Sequence, residues 1–179
     1  ILWGTLGWAF GGPIGGILGV IFAGSNDQST YKQVKQSQAG DFMVSLLVLF
    51  AKVMKADGKL LKSELDYVKN FLRRNLSRQQ SHVFIKMFQE ILKQEYRTAE
   101  VCKQIQRSMD HPSRLELMHV LFGLSASDGE IHPEEIRVIH TIAGYLNINN
   151  KDYESIKAIF IKDMDSEYKI LEIDSSASD

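Results

Sequence analysis

The sequence has little to cross-link or interrupt it. One cysteine, Cys102, excludes an internal disulfide framework and fits a reducing compartment. Three prolines, at 13, 112 and 133, leave long stretches free for helices. Neither sign of charge is in excess: 21 basic and 22 acidic residues give −1. That balance excludes a nucleic-acid binder that relies on broad electrostatic attraction. No alternating apolar–polar run of useful length predicts a strand, so no Gly-rich phosphate loop can follow one. The histidines at 82, 111, 119, 132 and 140 form no close HxxxH or HExxH pattern, and a catalytic zinc is not expected. Nothing else points to an enzyme. At 179 residues the chain can hold one domain with a core and a short extra segment or two. It begins at Ile and stops within "SSASD", so a piece of something longer is expected.

Charge is absent altogether before Asp27. The stretch "ILWGTLGWAFGGPIGGILGVIFAG", residues 1–24, is apolar and Gly-rich. As a helix it would rise about 36 Å at ~1.5 Å per residue, enough for a hydrocarbon core of about 30 Å. Trp3 and Trp8 stand towards one end, as at a lipid–water boundary. A transmembrane anchor is therefore expected. Gly7, Gly11, Gly15 and Gly19 fall four apart and form a smooth face on which a second anchor could pack, which predicts a homodimer. The alternative is a secretory signal peptide, but no basic start is visible and Gly and Pro run through its core. Lys32 and Lys35 follow closely and place the soluble part in the cytoplasm by the positive-inside rule.

Residues 25–38 are polar and read as a linker. Beyond them helical periodicity takes over. Phe42, Leu46, Leu49, Phe50, Val53 and Met54 predict a helix ending near Asp57-Gly58; Leu65, Val68, Phe71 and Leu72 predict a second. Ser77 is a candidate N-cap for a third, and a shorter polar helix is expected over roughly 98–109. Pro112, with Asp110 or His111 as cap, starts a fifth that ends at a second Asp-Gly. His132, Pro133 and Glu135 start a sixth, and a seventh begins near Asn149–Asn150. The soluble part is predicted to be all-α, a bundle of about seven helices.

"ADGKLLKSEL", residues 56–65, and "SDGEIHPEEI", residues 127–136, are nearly one phrase written twice, 71 positions apart. Each joins a long apolar helix to an amphipathic one, so two related helix–turn–helix units are expected. Structure alone explains much of the phrase. Gly58 and Gly129 suit the left-handed end of a helix, and Leu60 and Ile131 would pack back on the pair. Glu64 and Glu135 fall in a first turn, where the dipole favours negative charge by about 0.3–1 kcal/mol. The metal reading is sharper. "DGxLxxxE" matches the second half of a calcium-binding EF-hand loop, but Val53, Lys55, Leu124 and Ala126 stand where the first half needs oxygen ligands. If the units pack about an approximate two-fold, Asp57, Glu64, Asp128 and Glu135 would converge, and a divalent cation or protons would have to balance them.

These doubled turns in an all-helical domain resemble the TerB-like fold named for tellurite-resistance proteins, over residues 39–163. The resemblance implies a suspected metal at Asp57, Glu64, Asp128 and Glu135. The tail "EYKILEIDSSASD", residues 167–179, looks like the opening of a DnaJ-type J domain, with Tyr168, Leu171, Ile173, Ala177, Ser178 and Asp179 in the matching places. An apolar anchor, a TerB-like domain and a J-domain start, in that order, resemble the membrane-anchored DnaJ-type co-chaperones of the DjlA kind. That resemblance implies a bacterial inner-membrane protein, single-pass and dimeric, whose J domain stimulates a DnaK-type chaperone ATPase. The His-Pro-Asp motif needed for stimulation is absent. His111-Pro112-Ser113 and His132-Pro133-Glu134 are its nearest lookalikes, and both read as helix starts. The competing expectation is a membrane-tethered TerB-like metal-binding or stress-response module. Cys102 is expected to be a bland semi-buried thiol. Arg73, Arg74 and Arg78 suit a helix end, with anionic lipid headgroups as an alternative partner.

Overall fold

Apolar residues run all the way around "DFMVSLLVLFAKVM", and a helix with no polar face has to be buried on every side. The computed structural model, which describes residues 12–23, 38–56 and 58–170, places it at the centre of the protein. The helices are α1 (Pro13–Ala23), α2 (Gln38–Met54), α3 (Lys62–Asn75), α4 (Arg78–Leu92), α5 (Thr98–Ser108), α6 (His111–Ser125), α7 (Pro133–Tyr145) and α8 (Asn150–Ile170). Among the described residues there is no strand. In α2 every residue from Leu46 to Ala51 is fully buried, and α1, α4, α5, α6 and α7 all pack against it. Each large side chain buried in this way contributes roughly 1.5–3 kcal/mol.

The two predicted helix–turn–helix units are α2–α3 and α6–α7. Their long helices pack on each other, and each short helix crosses over: α3 lies on α6, and α7 lies on α2. The following helices repeat the scheme, α4 on α2 and α8 on α6. The contact pattern is that of an approximate two-fold exchange, and it sets the N-terminal turns of α3 and α7 near each other. Gly123 allows the α3–α6 crossing, since a Cβ there would overlap the Tyr67 hydroxyl. Aromatic rings fill the two halves. Phe50 meets Tyr67 and Phe71 edge-on at 6.3 and 6.0 Å, and Phe122 stacks on Phe160 at 5.8 Å.

The start signals act as read. Ser77 accepts the Gln80 N–H at 3.3 Å and Asp110 the Ser113 N–H at 3.0 Å. Asp110, not His111, is the cap, so Pro112 takes the second helical position. Gly58 (φ 77°) and Gly129 (φ 89°) are left-handed. Leu60 departs from expectation: it stands 51 % exposed instead of packing back on the helix pair.

The apolar N-terminus is described only in part. Helix α1 has 11 residues, a rise of about 16 Å at ~1.5 Å each, and among the described residues no helix is long and apolar enough to cross a membrane. Ile14, Ile17 and Leu18 are buried on the bundle, against α2, α4 and α5. The Ile14 N–H donates to Gln104 Oε1 at 3.0 Å, so a side chain of α5 serves an N–H at the start of α1. Gly12 (φ 134°) makes the approach possible, because a Cβ would stand 2.8 Å from that oxygen. Gly15 is buried and Gly19 exposed. Gly7, Gly11, Asp57, Leu171 and Ile173 lie outside the described residues, as does the side chain of Tyr168.

Candidate functional site at the paired acidic turns

The doubled phrase folds the same way twice, bond for bond. In the first turn Ala56 N–H donates to Val53 O (2.9 Å), Gly58 N–H to Lys55 O (3.3 Å) and Leu65 N–H to Leu61 O (3.2 Å). In the second, Ser127 donates to Leu124 (3.0 Å), Gly129 to Ala126 (3.2 Å) and Ile136 to His132 (3.1 Å). Glu64 then accepts the Leu61 N–H at 2.9 Å, and Glu135 accepts the His132 N–H at 3.3 Å. Each carboxylate serves an N–H that its own helix start leaves unpaired.

Such a cap normally sits in water; these two do not. Glu64 is 3 % exposed and Glu135 4 %. The crossing of α3 and α7 brings their carboxyls into hydrogen-bonding contact. Burial pushes the Glu135 carboxyl above the usual glutamate range, while its bonds with Glu64 and the His132 N–H and a looser contact with the Ser125 hydroxyl pull the other way. Two carboxylates in contact in a buried site disfavour joint ionisation, and a proton shared between them would relieve the repulsion. Ser125, 2 % exposed, faces Glu135, and its Oγ has no partner of ordinary hydrogen-bonding length and geometry.

Of the four predicted carboxylates, the crossing brings two together. Glu64 and Glu135 converge. Asp128 turns to its own loop, accepting the Glu130 N–H at 3.2 Å and lying 3.5 Å from His132 Nε2. Asp57 lies outside the described residues, and among those described no group of three or more His, Cys, Asp or Glu is placed to hold a metal. Val53 and Leu124 are core residues and Lys55 Nζ pairs with Glu95 at 2.8 Å, so neither turn completes an EF-hand loop. Sequence reasoning missed Ser125. The one available signal was its position on the apolar face that leads into the second Asp-Gly.

The remaining candidates have structural partners. Cys102 is fully buried, not half-buried, and burial pushes its thiol up to about 12, which leaves it unreactive. His111 meets Asp152 at 3.1 Å, while His119 and His140 lie on Phe160 and Tyr153 at 4.8 and 4.9 Å.

Comparison with known proteins adds one finding. The family model described as tellurite resistance protein TerB matches residues 43–158, a stretch that contains both turns and the crossing between them. No curated protein and no solved structure matches the chain.

Proposed function

The chain belongs to the TerB family, and on that premise we propose that it is a membrane-anchored co-chaperone of the DnaJ type, with the helical domain as its interaction or regulatory module. The phrase that leaves the domain carries the proposal. Helix α8 begins in the core, where Tyr153 and Phe160 pack on Phe122, and runs to Ile170. One helix thus leads from the TerB domain into "EYKILEID", the J-domain-like opening. On this reading a DnaK-type chaperone meets a J domain whose His-Pro-Asp follows Asp179, and the helical domain catalyses nothing itself. The natural polypeptide, read through its J domain, should stimulate ATP hydrolysis by a DnaK-type chaperone. Replacing the histidine of its His-Pro-Asp by Gln should abolish that stimulation. A native chain that lacks the motif, or that stimulates nothing at saturation, refutes the proposal.

The anchor and the inner-membrane location belong to the same proposal. They require α1 to leave the bundle, because Ile14, Ile17 and Leu18 cannot face the core and lipid together. Association through Gly7, Gly11, Gly15 and Gly19 should disappear from a membrane two-hybrid assay when Gly11, Gly15 and Gly19 become Leu. Undiminished association removes the dimer from the reading.

A second reading, a TerB-type metal-binding or stress-response module, is favoured by one observation: Glu64, Glu135 and the buried Ser125 hydroxyl meet at one point. Their oxygens suit a hard divalent cation that takes the place of the shared proton. They are fewer than the 6–8 ligands calcium takes, so backbone carbonyls or water must supply the rest. Calcium or zinc titration should raise the melting temperature of the chain, and Glu64→Gln with Glu135→Gln should remove the rise. No shift at millimolar metal leaves the pair as a proton-holding cap.

A further inference from the structure

Between Asp66 and Glu90 the chain carries no acidic residue, but it carries Lys69, Arg73, Arg74, Arg78, Lys86 and His82. In a protein of net charge −1 this is a strong local excess of one sign. The fold brings three of these residues, Arg73, Arg78 and His82, to the corner where α3 ends and α4 begins, around a cavity of about 910 Å³. Arg73, Arg78, Gln79, Ser81 and His82 supply polar lining and Val83 and Ile85 apolar lining; among the described residues no carboxylate lines it.

Ordinary structural roles account for only part of this charge. Arg73 and Arg74 occupy the last turn of α3, where helix carbonyls attract cations. Arg78 is the first residue of α4, where the same dipole repels a cation, so helix electrostatics does not explain it. Ion pairing does not explain it either. Elsewhere Arg97 pairs with Glu100, Arg137 with Glu134, and Arg114 reaches the carbonyls of Gln106 and Met109. Among the described residues neither Arg73 nor Arg78 has such a partner. Ser77 takes the N–H of Gln80, which leaves the N–H groups of Arg78 and Gln79, at the first two helical positions, without an acceptor in their helix.

We propose that this cavity binds a phosphate group. Its charge would meet the guanidinium groups of Arg73 and Arg78, which suit two-oxygen contacts, and the free N–H groups at the start of α4. Val83 and Ile85 would meet the apolar part of whatever molecule carries it. The phosphate belongs either to a soluble molecule or to a lipid headgroup, and one experiment separates the sources. The inference is independent of the co-chaperone reading.

The 179-residue chain is titrated at constant ionic strength with inorganic phosphate and pyrophosphate, followed by the backbone amide signals of Arg78 and Gln79. In parallel it is sedimented with phosphatidylcholine vesicles, with and without phosphatidylglycerol. Arg73→Gln and Arg78→Gln change exposed side chains, and circular dichroism checks that they fold; Lys103→Gln, on exposed α5 surface, is the control. Saturable shifts that weaken about tenfold in both Arg variants and not in the control place a soluble phosphate in the cavity. Binding that rises with phosphatidylglycerol and loses that rise in the Arg variants places a headgroup there. Equal behaviour of the variants and the chain in both arms overturns the proposal, as does the absence of any shift and of any phosphatidylglycerol dependence.

Discussion

In the turn after α2, Leu60 stands in solvent and Lys55 reaches away to Glu95 and the carbonyl of Gln94; in the turn after α6, Asp128 folds back on the Glu130 N–H and lies beside His132. Among the described residues the side chains that face water are thus placed differently. Three backbone bonds, a left-handed glycine and one glutamate cap are the same in both turns. Of these common features only the glutamates cost free energy to bury, since a carboxyl leaves water at a penalty. The two turns therefore have in common the delivery of a buried acid to the point where α3 and α7 cross. Among the described residues the first turn is tethered through Lys55 and the second through Asp128.

Breaking the delivered pair should have the largest effect. Glu64→Ala and Glu135→Ala each leave one backbone N–H without its acceptor and take one contact from the opposite carboxyl, at a cost of about 1–3 kcal/mol in urea unfolding. The double variant should cost less than the sum of the two, because both substitutions remove one shared contact. Strict additivity would show that the turns act separately. Glu135→Gln sharpens the point through pH. The folded chain holds the Glu135 carboxyl above its ordinary range, so its contribution is complete below the unfolded value of about 4.3 and is lost as pH rises through the raised folded value. The parent chain should lose stability across that interval, and Glu135→Gln, which keeps a donor without titrating, should flatten the curve. An unchanged slope would remove the shared proton.

Next in size are the glycines. Gly58→Ala and Gly129→Ala meet no neighbour within 4 Å, so each should cost only the strain of a left-handed alanine, roughly 1–2 kcal/mol. Equal costs by thermal unfolding would confirm that the two turns share one frame. Unequal costs would locate a difference in the backbone that the hydrogen bonds do not reveal.

Periodicity and caps made the architecture legible. Seven helices from α2 to α8 follow the apolar spacing, and Ser77, Asp110 and Pro133 mark their starts. The two units were legible because a phrase repeated at a fixed offset carries its local bonds with it. The crossing was not, since which helix packs on which depends on contacts far apart in sequence. The convergence of Glu64 and Glu135 follows from that crossing, and could not be read from either turn alone. Leu60 was misread for a related reason: an aliphatic residue after a left-handed glycine packs back only where a neighbouring helix is within reach. At the N-terminus, absence of charge is compatible both with lipid and with a protein groove, and composition does not separate them. Gly12 and Gln104 make a close polar contact there that hydropathy cannot register.

The tethers should contribute least, and they give the comparison its finest test. Asp128→Ala removes the bond to Glu130 and an exposed pair with His132, about 0.2–1 kcal/mol. Lys55→Ala removes an ion pair with Glu95, whose carboxyl the lysine holds below the usual range, and also the 3.1 Å bond to the Gln94 carbonyl. That second bond is partly shielded from water, so the first turn should be the more sensitive of the two. Added salt should shrink the Asp128 effect more than the Lys55 effect, because both Asp128 contacts are open to solvent and the bond to Gln94 is partly buried. Melting temperatures of both variants at low and high salt decide it. If both losses vanish in salt, the turns are tethered alike, and the contrast between them is confined to solvent-facing charge.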